Sequence, residues 1–422
     1  MNGKTTPKTL NPWYVAFVAG MATFVDQMAI MGFGTALVLY SSAQAINQVE
    51  VGVLTSLSTI ALAAGALVGG RLGDRFGRHL IFLITMAMIV VGTAICAFFV
   101  SYIPLIIGFI LFGFGVGADL PVSLATISEA ADDSNRAKLL TFSNLLGTAG
   151  ITAAVLTATV AGGLGILGGQ IIFGLTAVVG AITFALRFTV PESDSWKAAK
   201  KEAAEGVQTV RATQSHVREL LIGKYARPMW TLLTYYTLAT IAVLVSGQFG
   251  TYVAVNVAGM DIQFYSAISL IALPAALLGG IWFMKIADTS QRMPYFIAGA
   301  IGVIASYVIQ VIFGFNPITI IAALALITFA GAFCYETIMK VWAQESFPVL
   351  LRSTAQGLIY FLSRVAAAIL AIFTPTLLGL NPQGLYAVLA AVAAVSMVIG
   401  YLGFHKSTKT AFDDEDLVVE VA

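Results

Sequence analysis

A chain of 422 residues, 59% hydrophobic and 10% charged, is not an ordinary soluble protein, whose charged share is about 25%. Its net charge of +1 leaves no basic footprint for nucleic acid. Two cysteines, Cys96 and Cys334, both in apolar runs, are too few for a disulfide framework and read as small buried hydrophobes.

The first dozen residues are polar and include Lys4 and Lys8. The apolar run after them outlasts a signal peptide and shows no cleavage site, so it reads as a retained span. A helix needs about 20 apolar residues to cross a bilayer. By that measure twelve spans are expected, near 13–39, 51–70, 80–100, 103–130, 139–162, 167–190, 228–256, 263–286, 295–313, 317–346, 354–378 and 383–404. These runs are too long and too uniformly apolar for the alternating pattern of a membrane barrel. The expected fold is therefore an all-α membrane protein.

Charge placement sets the topology. Of 22 Lys and Arg, all but Lys340 and Arg364 fall in the tails, in the loops after even-numbered spans, or at the membrane edges beside them. The odd-numbered loops carry only Glu50 and Asp261 as charges. Positive charge stays on the cytoplasmic side, so both termini and the even loops are expected there, with the chain multi-pass in the plasma (bacterial inner) membrane.

Three features divide the chain. The polar stretch 191–227, from Pro191-Glu-Ser-Asp-Ser-Trp196 to Lys224, follows span six and separates two sets of six spans, 1–190 and 228–404. It is either an amphipathic surface helix or a plain tether. The end, 405–422, is an acidic tail with Asp413-Asp-Glu-Asp416. Weak repetition links the halves. Gly279-Gly-Ile-Trp-Phe-Met-Lys-Ile-Ala-Asp288 with Arg292 echoes Gly69-Gly-Arg-Leu-Gly-Asp74 with Arg78, and Glu129/Arg136 echoes Glu345/Arg352 at the same spacing. Paired repeats of this kind mark transporters, with a substrate site near the midplane between the halves.

The segment Gly70-Arg-Leu-Gly-Asp-Arg-Phe-Gly-Arg78, between spans two and three of twelve, resembles the loop 2–3 signature of the major facilitator superfamily. Pro191-Glu-Ser-Asp-Ser-Trp196, Glu345-Ser-Phe-Pro-Val-Leu-Leu-Arg352, and Pro121 through Glu129 and Arg136 resemble further motifs of its sugar-porter branch. The resemblance implies two six-helix bundles. Where sugar porters carry Gly-Pro and Trp in span ten, this chain has Glu336-Thr337 and Lys340; Asn144 aligns with their span-five Gln, and Ser246-Gly247 replaces their paired glutamines. Gly117-Ala-Asp-Leu-Pro121 looks more like phosphate and metabolite porters.

Charged groups at membrane depth are costly and mark function. Asp26 in span one and Asp119 in span four are the candidate proton-coupling acids, the span-one role also being implied by the resemblance. Glu336 and Lys340 share a helix face in span ten, either as a neutralising pair or as substrate ligands. Arg364, deep in span eleven, suits an anionic partner or the substrate. Asn144, Gln248, Asn256, Tyr235 and Tyr236 are polar candidates for hydroxyl recognition, or else helix-packing groups. Arg71, Asp74, Arg75, Arg78, Glu129, Arg136, Asp288, Arg292, Glu345 and Arg352 are expected to form a cytoplasmic gate of ion pairs.

These readings point to a secondary active transporter rather than an enzyme. The first expectation is proton-coupled symport of a sugar or polyol by alternating access. The alternative is a carrier of a small organic anion or sugar acid, and a non-transporting membrane sensor stands behind both. The expected partners are a small-molecule substrate, protons and the lipid bilayer, and the chain should act as a monomer. No P-loop is present and His79, His216 and His405 are scattered, so neither a cofactor nor a metal is expected.

Overall fold

The computed structural model describes residues 10–132, 134–205 and 217–405. The acidic tail from 406 and the middle of the inter-bundle stretch, 206–216, lie outside the described residues.

Each apolar run becomes a helix, because in hydrocarbon the backbone must satisfy its own hydrogen bonds. The first bundle is α1 (Pro12–Ser42), α2 (Gln48–Phe76), α3 (Arg78–Phe98), α4 (Tyr102–Ala130), α5 (Arg136–Ala161) and α6 (Ile166–Arg187). Two short helices follow, α7 (Asp194–Ala204) and α8 (Val217–Leu221). The second bundle is α9 (Ala226–Tyr252, extended by a π turn at Val253–Val257), α10 (Ile262–Ile286), α11 (Arg292–Phe313), α12 (Pro317–Cys334), α13 (Glu336–Ser346), α14 (Val349–Leu380) and α15 (Pro382–Phe404). Twelve segments are long and apolar enough to cross a membrane, α12 and α13 together making one of them. Among the described residues there is no strand.

Helix starts follow local chemistry. Asn47 with Glu50 and Asn316 with Thr319 form reciprocal capping boxes, and α1, α12 and α15 begin on proline, which gives up no hydrogen bond there. Hydroxyls inside the apolar helices return to their own backbone, as Thr93, Thr126, Thr141 and Thr176 do to the carbonyl four residues back. Close crossings use small residues: on α4, a Cβ at Gly117 would collide with the Leu62 carbonyl of α2.

Span ten departs from the single helix expected. Tyr335 leaves helical backbone at φ −111°, ψ −123°, and α13 restarts at Glu336. The Tyr335 ring folds back over Gly331, where an added Cβ would stand 2.9 Å from it.

Each bundle has its own aromatic core. Phe33 sits 4.5 Å from both Phe112 and Phe173 in the first. Trp342 of α13 packs on Tyr235, Phe296 and Phe404 at 5.5, 5.2 and 4.5 Å in the second. Large apolar side chains such as Ile60, Ile103 and Ile312 stand exposed around the outside, where lipid would cover them. With twelve spans, the start of α1 and the end of α15 lie on one face, called here the terminal face.

Candidate functional site

Four charged groups from both bundles meet near the middle of the molecule. Asp26 projects from the middle of α1, 5% exposed, and its Oδ1 has no hydrogen-bond partner. Arg364 of α14 lies close enough to Asp26 and Glu336 for its charge to act on both carboxyls. On α13, Lys340 pairs with Glu336 at 3.0 Å, and the Tyr360 hydroxyl donates to Glu336 at 3.1 Å. Tyr236 packs edge-on against Tyr360, their centroids 5.6 Å apart. Two carboxylates thus face two cations.

Beside this cluster lies a cavity of about 470 Å³. Asn144 and Thr141 of α5 form one wall; Glu336, Thr337, Ser246, Tyr307, Gln310 and Tyr386 of the second bundle line much of the rest. Gln310 near the end of α11, Ile320 near the start of α12 and Tyr386 near the start of α15 place its far end toward the face opposite the terminal face. A wall of hydroxyls and amides among apolar and aromatic side chains suits a small polar solute.

The terminal face is closed where the bundles meet. Asp74 accepts from the backbone N–H groups of Ser353 (3.3 Å) and Thr354 (2.7 Å), near the start of α14. Asp288 accepts from the N–H groups of Ala137 (2.7 Å) and Lys138 (2.8 Å), in the first turn of α5. The two acids singled out by the weak repeat therefore make related contacts, each reaching from one bundle to two successive backbone amides near the start of a helix in the other. For Asp288 the amides belong to a first turn, whose N–H groups lack helical partners and sit at the positive dipole end; Ser353 and Thr354 lie in the second turn of α14. Arg78 joins Asp74 to Glu129, pairing with Glu129 at 2.8 Å and donating to the Val349 carbonyl at 2.6 Å across the seam. Glu129 meets Arg352 of the other bundle at 3.4 Å, Arg136 donates to the Ser128 carbonyl at 3.2 Å, and Arg292 pairs with Glu345 at 2.8 Å within its own bundle. The backbones touch as well: a Cβ on Gly357 of α14 would collide with the Ala66 carbonyl of α2. Burial raises the Asp288 carboxyl above its ordinary range, and the two amides that cap onto it pull it partway back.

Several expected site residues lie elsewhere. Asp119 does not line the cavity. It is 1% exposed, paired with Arg187 (2.7 Å from Nη2), and it accepts from the hydroxyls of Thr85 and Ser123. Arg187, which positive-charge placement accounts for as a membrane-edge residue, is fully buried and stacked on Phe82 at 3.7 Å. Arg71 and Arg75 stand exposed outside the seam network, because each follows a seam residue, Gly70 and Asp74, by about 100° around the helix. Asn256 is exposed in the π turn, away from the cavity wall, and Tyr235 donates to the Cys334 carbonyl inside the second bundle. The side chain of Gln248 lies outside the described residues. The cavity adds residues the sequence did not single out. Of these Gln310, a polar residue inside an apolar run and 8% exposed, carried a usable signal.

Comparison with known proteins completes the picture. The sequence profile described as Major Facilitator Superfamily matches residues 19–371. The minor myo-inositol transporter IolF of Bacillus subtilis is 29% identical over 391 residues, covering 91% of this chain and 89% of that protein. The glucose transporter GlcP of Staphylococcus epidermidis is 24% identical over 385 residues, covering 84% and 85%. Among solved structures, the proton:xylose symporter XylE bound to 6-bromo-6-deoxy-D-glucose superposes with a TM-score of 0.79 at 16% identity over 94% of this chain and 96% of that one, a likeness of fold. The chain therefore belongs to the Major Facilitator Superfamily, as a multi-pass membrane transporter and not an enzyme.

Proposed function

We propose that this transporter moves an uncharged polyhydroxylated solute, a sugar or a polyol, together with a proton, by alternating access across the plasma membrane. The observation that carries the reading is Asp26: a buried carboxyl with a free oxygen, set near Arg364, Glu336 and Lys340, of which Glu336 lines a cavity walled by hydroxyls and amides. A buried acid in that position can be held charged against Arg364 or neutral beside it, which is what a coupled proton requires. Two acids balance two bases, so no spare cation awaits an anionic solute. The similarity to a myo-inositol and a glucose transporter favours the same solute class.

The terminal face is taken as cytoplasmic, from the placement of Lys and Arg. On that reading the conformer is shut inward, and Asp74, Arg78, Glu129, Arg352 and Asp288 form the inner gate. Residues 1–190 and 228–404 would rock as two bodies. The stretch 191–227 would tether them, with its Trp196 and Ala199 seated on Val349 and Leu350 of α14. The working unit is a monomer.

Uptake of labelled myo-inositol and D-glucose into proteoliposomes, with and without an inward proton gradient, tests the reading. Gradient-driven accumulation of either is expected. Accumulation of a sugar acid alone would shift the solute to the anion class. Uptake indifferent to the gradient would remove the proton.

A further inference from the structure

The carboxamide of Asn144 is bonded at both ends to the opposite bundle. Its Oδ1 accepts from Lys340 Nζ at 2.6 Å, and its Nδ2 donates to Thr337 Oγ1 at 2.6 Å. Asn144 and Thr337 also wall the cavity, while Lys340 is fully buried behind them. Among the described residues, this pair alone both lines the cavity and hydrogen-bonds across the seam.

We infer that Asn144 reports the occupancy of the cavity to the bundle seam, with Lys340 as the partner that is held or released. This rests on the cavity being the solute site. A carboxamide has two lone pairs and two N–H bonds, and only one of each is engaged here. The other half can bond a solute hydroxyl, and any tilt of the amide toward that hydroxyl weakens the Lys340 bond. Lys340 can give up that bond without being stranded, because Glu336 stays 3.0 Å away on the same face of α13. A buried cation with a second partner avoids the penalty of an unpaired charge, so this tie can break once per cycle. One turn further toward the terminal face on α13, Gln344 accepts from Ser128 of the first bundle at 2.9 Å, so release at Lys340 loosens a row of cross-seam bonds that leads to the gate.

Hydrogen exchange of the purified protein in lipid vesicles reads the tie directly, at residues 136–140 and 349–358. Asn144→Asp sets a carboxylate against Lys340 and should tighten the seam. Exchange in both segments should slow about tenfold without solute, and adding myo-inositol should speed it less than in the native protein. Lys340→Met removes the tie and should speed exchange in both segments without solute. Unchanged exchange in both variants overturns the inference. So does an Asn144→Asp protein whose solute-free exchange matches the native protein's although its affinity for myo-inositol falls, since Asn144 would then be a ligand only. If myo-inositol and D-glucose fail to bind the native protein, the solute reading is lost, yet the solute-free exchange comparison still decides whether the tie exists.

Discussion

Two aspartates in the first bundle show how surroundings set the work of a residue. Asp119 is saturated by Arg187, Thr85 and Ser123, whereas Asp26 keeps an oxygen without a partner. Opposite outcomes are expected on replacement. Asp119→Asn strands the buried Arg187 guanidinium and should cost about 3–5 kcal/mol, seen as a lower melting temperature in detergent. Asp26→Asn should leave that temperature within a few degrees, abolish gradient-driven accumulation and keep solute exchange; retained uphill uptake would refute its coupling role. The sequence showed both acids, because any carboxylate at membrane depth stands out against apolar neighbours. It did not show their difference, because the partner Arg187 lies at a helix end where an arginine is already accounted for by topology. Ser246, Tyr307 and Tyr386 were hidden for a related reason: a hydroxyl that turns to its own backbone and one that faces a cavity are the same letter.

Helix crossings carry the next set of expectations. Gly117 lies between α2 and α4 of one bundle, whereas Gly357 lies between α14 and α2 of different bundles. Gly117→Ala should loosen the first bundle and lower stability by about 1–3 kcal/mol, the range of an overpacked site. Gly357→Ala should leave each bundle intact and instead wedge the seam open. Faster hydrogen exchange at 349–358 with a melting temperature little changed would show it; equal loss of stability in both variants would count against bundles that move as bodies. The twelve spans were legible because length and hydropathy alone fix them. The interruption at Tyr335 was not, since no proline marks it and only the fold of its ring onto Gly331 does.

At the scale of the molecule, the seam sets a pH expectation. Asp288 is raised by burial while the terminal face is closed. A carboxyl raised in one conformer favours that conformer below its ordinary pKa, about 4, and withdraws the contribution as pH rises through the raised value. Mild acid on the terminal side should therefore favour closure, and Asp288→Asn should flatten that response when exchange at 136–140 is followed against pH. A response identical in the variant would assign the titration to another group. The two cross-bundle contacts of Asp74 and Asp288 have one more property: apart from the Thr354 hydroxyl, which also donates to Asp74, what they grip is main chain. Side chains at Ala137, Lys138 and Ser353 can drift without touching the amide each acid holds. Alanine scanning would pass over half of this closure in silence. Imino-acid replacement, which deletes the N–H itself, is the substitution that would expose it.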